Sequence, residues 1–203
     1  MDETYHSRHG ALQESLHVFI GNGLLHYCGI SEGPLNILEV GMGTGLNVFL
    51  TADTAIKINR KIEMTTLEPF PLENHLLENL NYGTILEDRD HLFEKIHSCP
   101  WNIQVPVTPV FTLEKVNATL HDFRPFREFD LIYYDAFAPS KQPELWEPVT
   151  LGKVTGLLKP GGILVTYCAQ GRFKKLLQSF GCKVETLPGP PGKKEMVRAT
   201  RPE

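Results

Sequence analysis

Ile37-Leu-Glu-Val-Gly-Met-Gly-Thr-Gly-Leu-Asn47 is the stretch on which the fold of this 203-residue chain turns. An apolar segment of strand type runs into three alternating glycines, and a helical pattern over residues 46–57 follows at once. Gly41, Gly43 and Gly45 tolerate positive φ and carry no side chain, so a ligand can lie against the main chain at the carboxyl edge of a sheet. The dinucleotide pattern needs a glycine where Leu46 stands, which makes a nicotinamide cofactor the weaker choice.

Outward from this loop, short apolar runs alternate with segments of helical period, the signature of a parallel sheet covered by crossover helices. Seven strands are expected, at residues 36–40, 62–67, 109–113, 129–134, 163–167, 183–187 and 195–199. The last two flank the turn Pro188-Gly-Pro-Pro-Gly192 and pair antiparallel. Helices are expected at 46–57, 71–80, 86–97, 142–158 and 172–180, with Lys159-Pro-Gly-Gly162 as the turn into the fifth strand. Leu12, Leu16, Phe19 and Ile20 predict an added helix over residues 9–27. A length of 203 residues suits one core, and the expected organisation is a single domain, with 1–33 an N-terminal extension and 34–203 an α/β, Rossmann-like body.

Composition narrows the function. With 41% hydrophobic and 22% charged residues the chain reads as soluble, and no apolar run reaches the roughly 18 residues of a membrane span. The opening MDETYHSRHG is acidic and polar, unlike a signal peptide, so a cytoplasmic protein is expected. Cys28, Cys99, Cys168 and Cys182 form no CxxC pair and read as reduced thiols, while His6 and His9 lack further ligands at metal-binding spacing. No metal is expected. The net charge of −4 hides an asymmetry: residues 1–169 hold 12 Lys/Arg against 21 Asp/Glu, whereas residues 170–203 hold 8 against 3. A polyanion would therefore engage the tail.

The spacing Glu39-x-Gly41-x-Gly43-x-Gly45 is how S-adenosylmethionine methyltransferases begin, and that cofactor has cationic amino and sulfonium groups that Glu39 favours. Asn47 lies in the same loop. Glu68, ending the second strand, is placed to accept hydrogen bonds from both ribose hydroxyls, since a carboxylate offers two acceptors in one plane. Asn117 and Ala118, after the third strand, are the topological candidates for the adenine. Asp135 ends the fourth strand beside the cofactor and is the candidate catalytic residue. Phe137, Pro139 and Trp146 are candidates for a platform on which a base stacks, and Arg172, Lys193, Lys194 and Arg198 for phosphate contacts.

The fragment 5–24, the loop 39–47, Asp135-Ala-Phe-Ala-Pro139 with Trp146, and Gly192-Lys-Lys-Glu-Met196 together resemble the methyltransferase domain of the bacterial tRNA 5-methylaminomethyl-2-thiouridine biosynthesis proteins. That resemblance implies a class I methyltransferase fold and methyl transfer from S-adenosylmethionine to the amine of 5-aminomethyl-2-thiouridine, in the anticodon loop of tRNA. It also implies an FAD-dependent oxidase, which in bifunctional relatives is fused; here a stand-alone methyltransferase is expected, fed either by a separate oxidase or by a pathway that makes the aminomethyl group directly. Two alternatives stay open: an aminopropyltransferase or small-molecule amine methyltransferase of the same fold, and a module that binds tRNA or an oxidase without catalysis.

Overall fold

The computed structural model describes residues 8–73 and 91–202. Eight strands form one sheet: β1 (Leu35–Val40), β2 (Ile62–Leu67), β3 (Gln104–Thr108), β4 (Phe111–Val116), β5 (Phe129–Tyr134), β6 (Leu158–Thr166), β7 (Lys183–Pro188) and β8 (Glu195–Thr200). Their spatial order is β3-β4-β2-β1-β5-β6-β8-β7. The strands from β4 to β6 in this order run parallel; β8 is antiparallel to both β6 and β7, and β3 is antiparallel to β4. From β1 the chain goes to β2 on one side and later returns to β5 on the other, so the sheet's switch point lies at the carboxyl ends of β1 and β5, where open α/β sheets take ligands.

The eighth strand, β3, departs from the seven-strand expectation. Its sequence Gln104-Val-Pro-Val-Thr108 contains a proline, which argues against a central strand but is tolerated at an edge, where β3 lies. The expected helix over 142–158 is a short 3₁₀ turn, Pro143–Trp146, followed by α5 (Pro148–Gly156), with Pro148 opening the latter. Lys159-Pro-Gly-Gly162 does not precede β6 but lies within it: pairing jumps from Phe129–Leu158 to Leu131–Ile163, and Gly161 takes φ +73°. The expected helix 71–80 falls outside the described residues from 74 onward; of that over 86–97, the described part is α4 (Leu92–Ser98).

Two apolar layers enclose the sheet. One contains Ile37 of β1, Tyr133 of β5, and Val48 and Phe49 of α3 (Leu46–Ile58), joined by the N-terminal helical segment. The other contains Leu38, Val40 and Tyr134 with Trp146, Leu151 of α5 and Phe173 of α6 (Gly171–Ser179). Alternate residues of β1 thus serve opposite layers, the period-two rule of a strand buried on both faces. Asp130 pins the amino end of β5, accepting from the Asn36 N–H at 2.7 Å and from Lys159 Nζ at 2.8 Å.

The N-terminal segment comprises α1 (Arg8–Ser15), a π-wound stretch Leu16–Leu25 and α2 (His26–Ile30). Wider winding brings the consecutive residues Val18, Phe19 and Ile20 all into the core. Gly23 lets it approach the sheet, since a Cβ there would meet Val165 Cγ2 at 3.0 Å. Among the described residues, no helix is long and apolar enough to cross a membrane.

Candidate active site

Gly41, Gly43 and Gly45 have φ of +93°, +51° and +76°, so the sequence pattern reflects a backbone requirement at all three. Their surroundings differ. A Cβ at Gly41 would lie 2.8 Å from the Asp135 carbonyl oxygen, a Cβ at Gly45 would meet the His97 ring at 3.1 Å, and one at Gly43 would meet nothing within 4 Å. The outer two glycines let the loop pack, and the middle one leaves an open cradle. His97 of α4 holds the loop by donating from Nε2 to the Thr44 carbonyl at 3.2 Å; burial, then the nearby Lys115 cation, lowers its pKa to about 4, so the ring is neutral.

Glu68 closes the rim of this cradle. Its Oε2 accepts from the Gly43 N–H and its Oε1 from the Phe70 N–H, both at 3.0 Å. Each oxygen keeps a further lone pair, which is what a diol needs. A shallow cleft opens here between Met42, Gly43, Glu68, Leu72, Trp101 and Lys115. Lys115 is 2% exposed, donates to the His97 carbonyl at 2.8 Å and lies over the Trp101 ring; burial lowers its pKa. Asn117 bridges the ends of β2 and β4, donating to the Glu68 carbonyl at 2.9 Å, with half-buried Ala118 next to it.

Glu39 differs from its expected place. It is 0% exposed beneath the loop, with Oε2 accepting from Thr66 Oγ1 at 2.5 Å and Oε1 without a partner. Burial pushes its carboxyl up to about 8, against the Thr66 hydrogen bond, so it is protonated at neutral pH. Asn47, 4% exposed, donates from Nδ2 to Asp135 Oδ2 at 2.8 Å, leaving its own Oδ1 unpartnered.

Asp135 leaves β5 with its N–H bonded to the Val40 carbonyl at 3.2 Å and its own carbonyl against Gly41, which fixes it beside the glycine loop. Burial raises its carboxyl to about 7; the Asn47 hydrogen bond opposes this, Glu14 adds to it, and Lys193 counters it. Glu14 of α1 and Tyr167, just beyond β6, therefore belong to the same neighbourhood, although the sequence reading named neither. Tyr167 ends the expected fifth strand and so had a topological signal; Glu14 had only a place on a helix.

The other expected substrate contacts divide. Phe137 is 66% exposed and Pro139 half-buried. Trp146 is not part of an exposed platform: it is 6% exposed, donates from Nε1 to the Phe137 carbonyl at 2.9 Å, and packs edge-on against Tyr134 and Phe173. Arg198 is likewise withdrawn from phosphate, being 8% exposed and paired with Glu185 at 3.1 Å. Arg172 pairs with Glu147 at 3.2 Å on the surface, and Lys193 turns inward to Glu14 at 2.6 Å. Lys194 is exposed.

S-adenosylmethionine suits the chemistry of these residues: an open, side-chain-free stretch at Gly43, a carboxylate with spare acceptors beside it, and buried oxygens without a partner on Glu39 and Asn47. The comparisons agree. Residues 102–202 match a family model described as S-adenosyl-L-methionine-dependent methyltransferase. The tRNA 5-methylaminomethyl-2-thiouridine biosynthesis bifunctional protein MnmC of Cupriavidus necator is 28% identical over 100% of this chain, and its namesake from Leptospira borgpetersenii serovar Hardjo-bovis 29% identical over 97%. The chain spans 32% of the length of each. Among solved structures, MnmC2 from Aquifex aeolicus superposes with TM-score 0.73 at 22% identity, covering 99% of this chain and 66% of that one. Magnesium protoporphyrin IX methyltransferase from Synechocystis PCC 6803 gives 0.59 at 10%, covering 99% and 86%. Both share the Rossmann-like fold assembled above, and the chain is similar over its second half to the S-adenosyl-L-methionine-dependent methyltransferase family and over its whole length to the MnmC relatives.

Proposed function

We propose that this methyltransferase acts on the primary amine of 5-aminomethyl-(2-thio)uridine at the wobble position of tRNA. The observation that carries the reading is the Asp135 carboxyl, tied to Asn47 beside the glycine loop and raised by burial to about 7. The whole-length likeness to the MnmC relatives supplies the substrate class.

An alkylamine is protonated at neutral pH and has no lone pair to donate until it loses a proton. A carboxylate with a pKa near the working pH is suited to take that proton and pass it to solvent. S-adenosylmethionine supplies a methyl group on a sulfonium, a leaving group that needs no acid. The protein's share is to hold the amine in line at roughly 3–3.5 Å from the reacting carbon and to accept one proton. Gly41, Gly43, Gly45 and Glu68 hold the donor, with Asn117 and Ala118 bordering the adenine; Asn47 orients Asp135, and Glu39 supports the loop from below. Phe137 and Pro139 border the base, which is already splayed in an anticodon loop. Lys194 contacts phosphate, and an oxidase supplies the aminomethyl group.

The test is mass spectrometry of tRNA nucleosides after incubation of the protein and S-adenosylmethionine with tRNA bearing the aminomethyl group. A gain of one methyl on that nucleoside is expected, and its kcat/KM should rise with pH through about 7 as Asp135 ionises. Transfer to a free polyamine in place of tRNA would overturn the reading.

A further inference from the structure

Beside Asp135 lies a cluster that the donor site does not use. Lys193 Nζ is 2.6 Å from Glu14 Oε2 and 3.9 Å from the centroid of the Tyr167 ring. The ring is fixed: its hydroxyl donates to the carbonyl of Ala136, the neighbour of Asp135, at 2.7 Å. The Asp135 carboxyl feels both Glu14 and Lys193. A primary ammonium thus sits against an aromatic face, beside one carboxylate and within the field of another, the combination by which proteins recognise alkylammonium ligands. The ammonium is the protein's own, and it is the same chemical group as the aminomethyl acceptor. Its carrier is removable: Lys193 lies in the turn between β7 and β8, next to Gly192 with φ +88°, and its side chain is 38% exposed.

Resting on the aminomethyl reading above, we infer that Glu14, Tyr167 and Asp135 form the seat of the acceptor ammonium, and that Lys193 Nζ fills this seat in the ligand-free protein and leaves it when the acceptor enters. Glu14 and Tyr167 are then specificity residues. They favour a cationic amine over a neutral group of the same size, while Asp135 takes the single proton released before the nitrogen lone pair forms the N–C bond and the C–S electron pair departs with sulfur. Filling the seat internally keeps two carboxylates from facing each other unpaired across the opening.

The experiment is steady-state methylation of aminomethyl-bearing tRNA by Glu14→Gln, Tyr167→Leu, Tyr167→Phe and Lys193→Met variants, with S-adenosylhomocysteine affinity measured by calorimetry on each as a check on the fold. Glu14→Gln and Tyr167→Leu should raise KM for the tRNA about tenfold, equivalent to about 1.4 kcal/mol, with S-adenosylhomocysteine affinity within twofold of the parent. Tyr167→Phe, which keeps the ring, should recover most of that loss. Lys193→Met, which removes the competitor, should lower KM several-fold. An unchanged KM in Glu14→Gln, or a KM raised by Lys193→Met as much as by Glu14→Gln, would overturn the inference. Inactivity of the unsubstituted protein on this tRNA would instead remove the aminomethyl reading, and the inference with it.

Discussion

The donor side and the acceptor side proposed for the crevice are built by different means. The donor side, from the glycine loop to Glu68, is made largely of main chain: three positive-φ glycines, N–H groups of Gly43 and Phe70, and carbonyls of Thr44 and Glu68, with side chains tying them together. The acceptor side is made of side chains from distant parts of the chain: Glu14 of α1, Asp135 after β5, Tyr167 after β6 and Lys193 between β7 and β8. A main-chain site is rigid and suits a ligand that is always the same. A side-chain site gathered from four elements can be tuned by single substitutions without disturbing the fold.

Substitutions on the two sides should therefore fail in different currencies. The largest effect is expected from Asp135→Ala: methyl transfer falls by about 10²–10⁴, the range for a lost proton acceptor, while S-adenosylhomocysteine affinity by calorimetry stays within a few fold. Equal losses in binding and turnover would move Asp135 to the donor side. Gly41→Ala comes next. With φ +93° and a Cβ directed to within 2.8 Å of the Asp135 carbonyl, the loop must shift, costing about 1–3 kcal/mol of stability in denaturant titrations and weakening cofactor binding along with it. The same change at Gly43, where space is open, should cost less stability; equal costs would show that packing does not separate the two glycines.

Glu68→Ala should weaken cofactor binding about tenfold, with kcat at saturating cofactor close to the parent, the reverse of the Asp135 pattern; about 1.4 kcal/mol is the expected size for lost hydrogen bonds to a charged acceptor. The smallest effect concerns Glu39. Its folded-state pKa of about 8 exceeds the usual 4.5, so its contribution to stability is full at low pH and is lost as pH rises between those values. Glu39→Gln, which keeps the shape and cannot ionise, should flatten the fall in Tm across that window and raise Tm at pH 8 by about 2–4 °C per kcal/mol relieved. An identical pH profile in parent and variant would place the strain elsewhere.

The same contrast explains what the sequence disclosed. The glycine loop was legible because its signal is local: a strand, glycines at fixed spacing and a helix within eleven residues, with Glu68 one strand further on. The place of Asp135 just beyond the carboxyl end of β5 was legible from the apolar run before it. Trp146 and Arg198 misled because aromatic and basic residues near a site have the same letters whether they face a ligand or the core; burial against Tyr134 and Phe173, and pairing with Glu185, are decided by tertiary contacts. β3 was missed because Pro106 reads against a strand unless the strand is known to lie at an edge. Glu14 was out of reach, since what makes it significant is a lysine 179 positions away.

The π-wound stretch between Leu16 and Leu25 acts as a ruler for α1. Successive residues of an ordinary helix are turned by about 100°, so tightening this stretch by a single residue swings everything ahead of it by more than a quarter turn and draws it about 1.5 Å along the axis. The angular position of Glu14 is thus written into the pitch of the segment that follows it. A one-residue deletion inside that stretch would aim the carboxylate away from Tyr167 while leaving its identity untouched, so chain length there is as much a part of the acceptor side as the residues that line it.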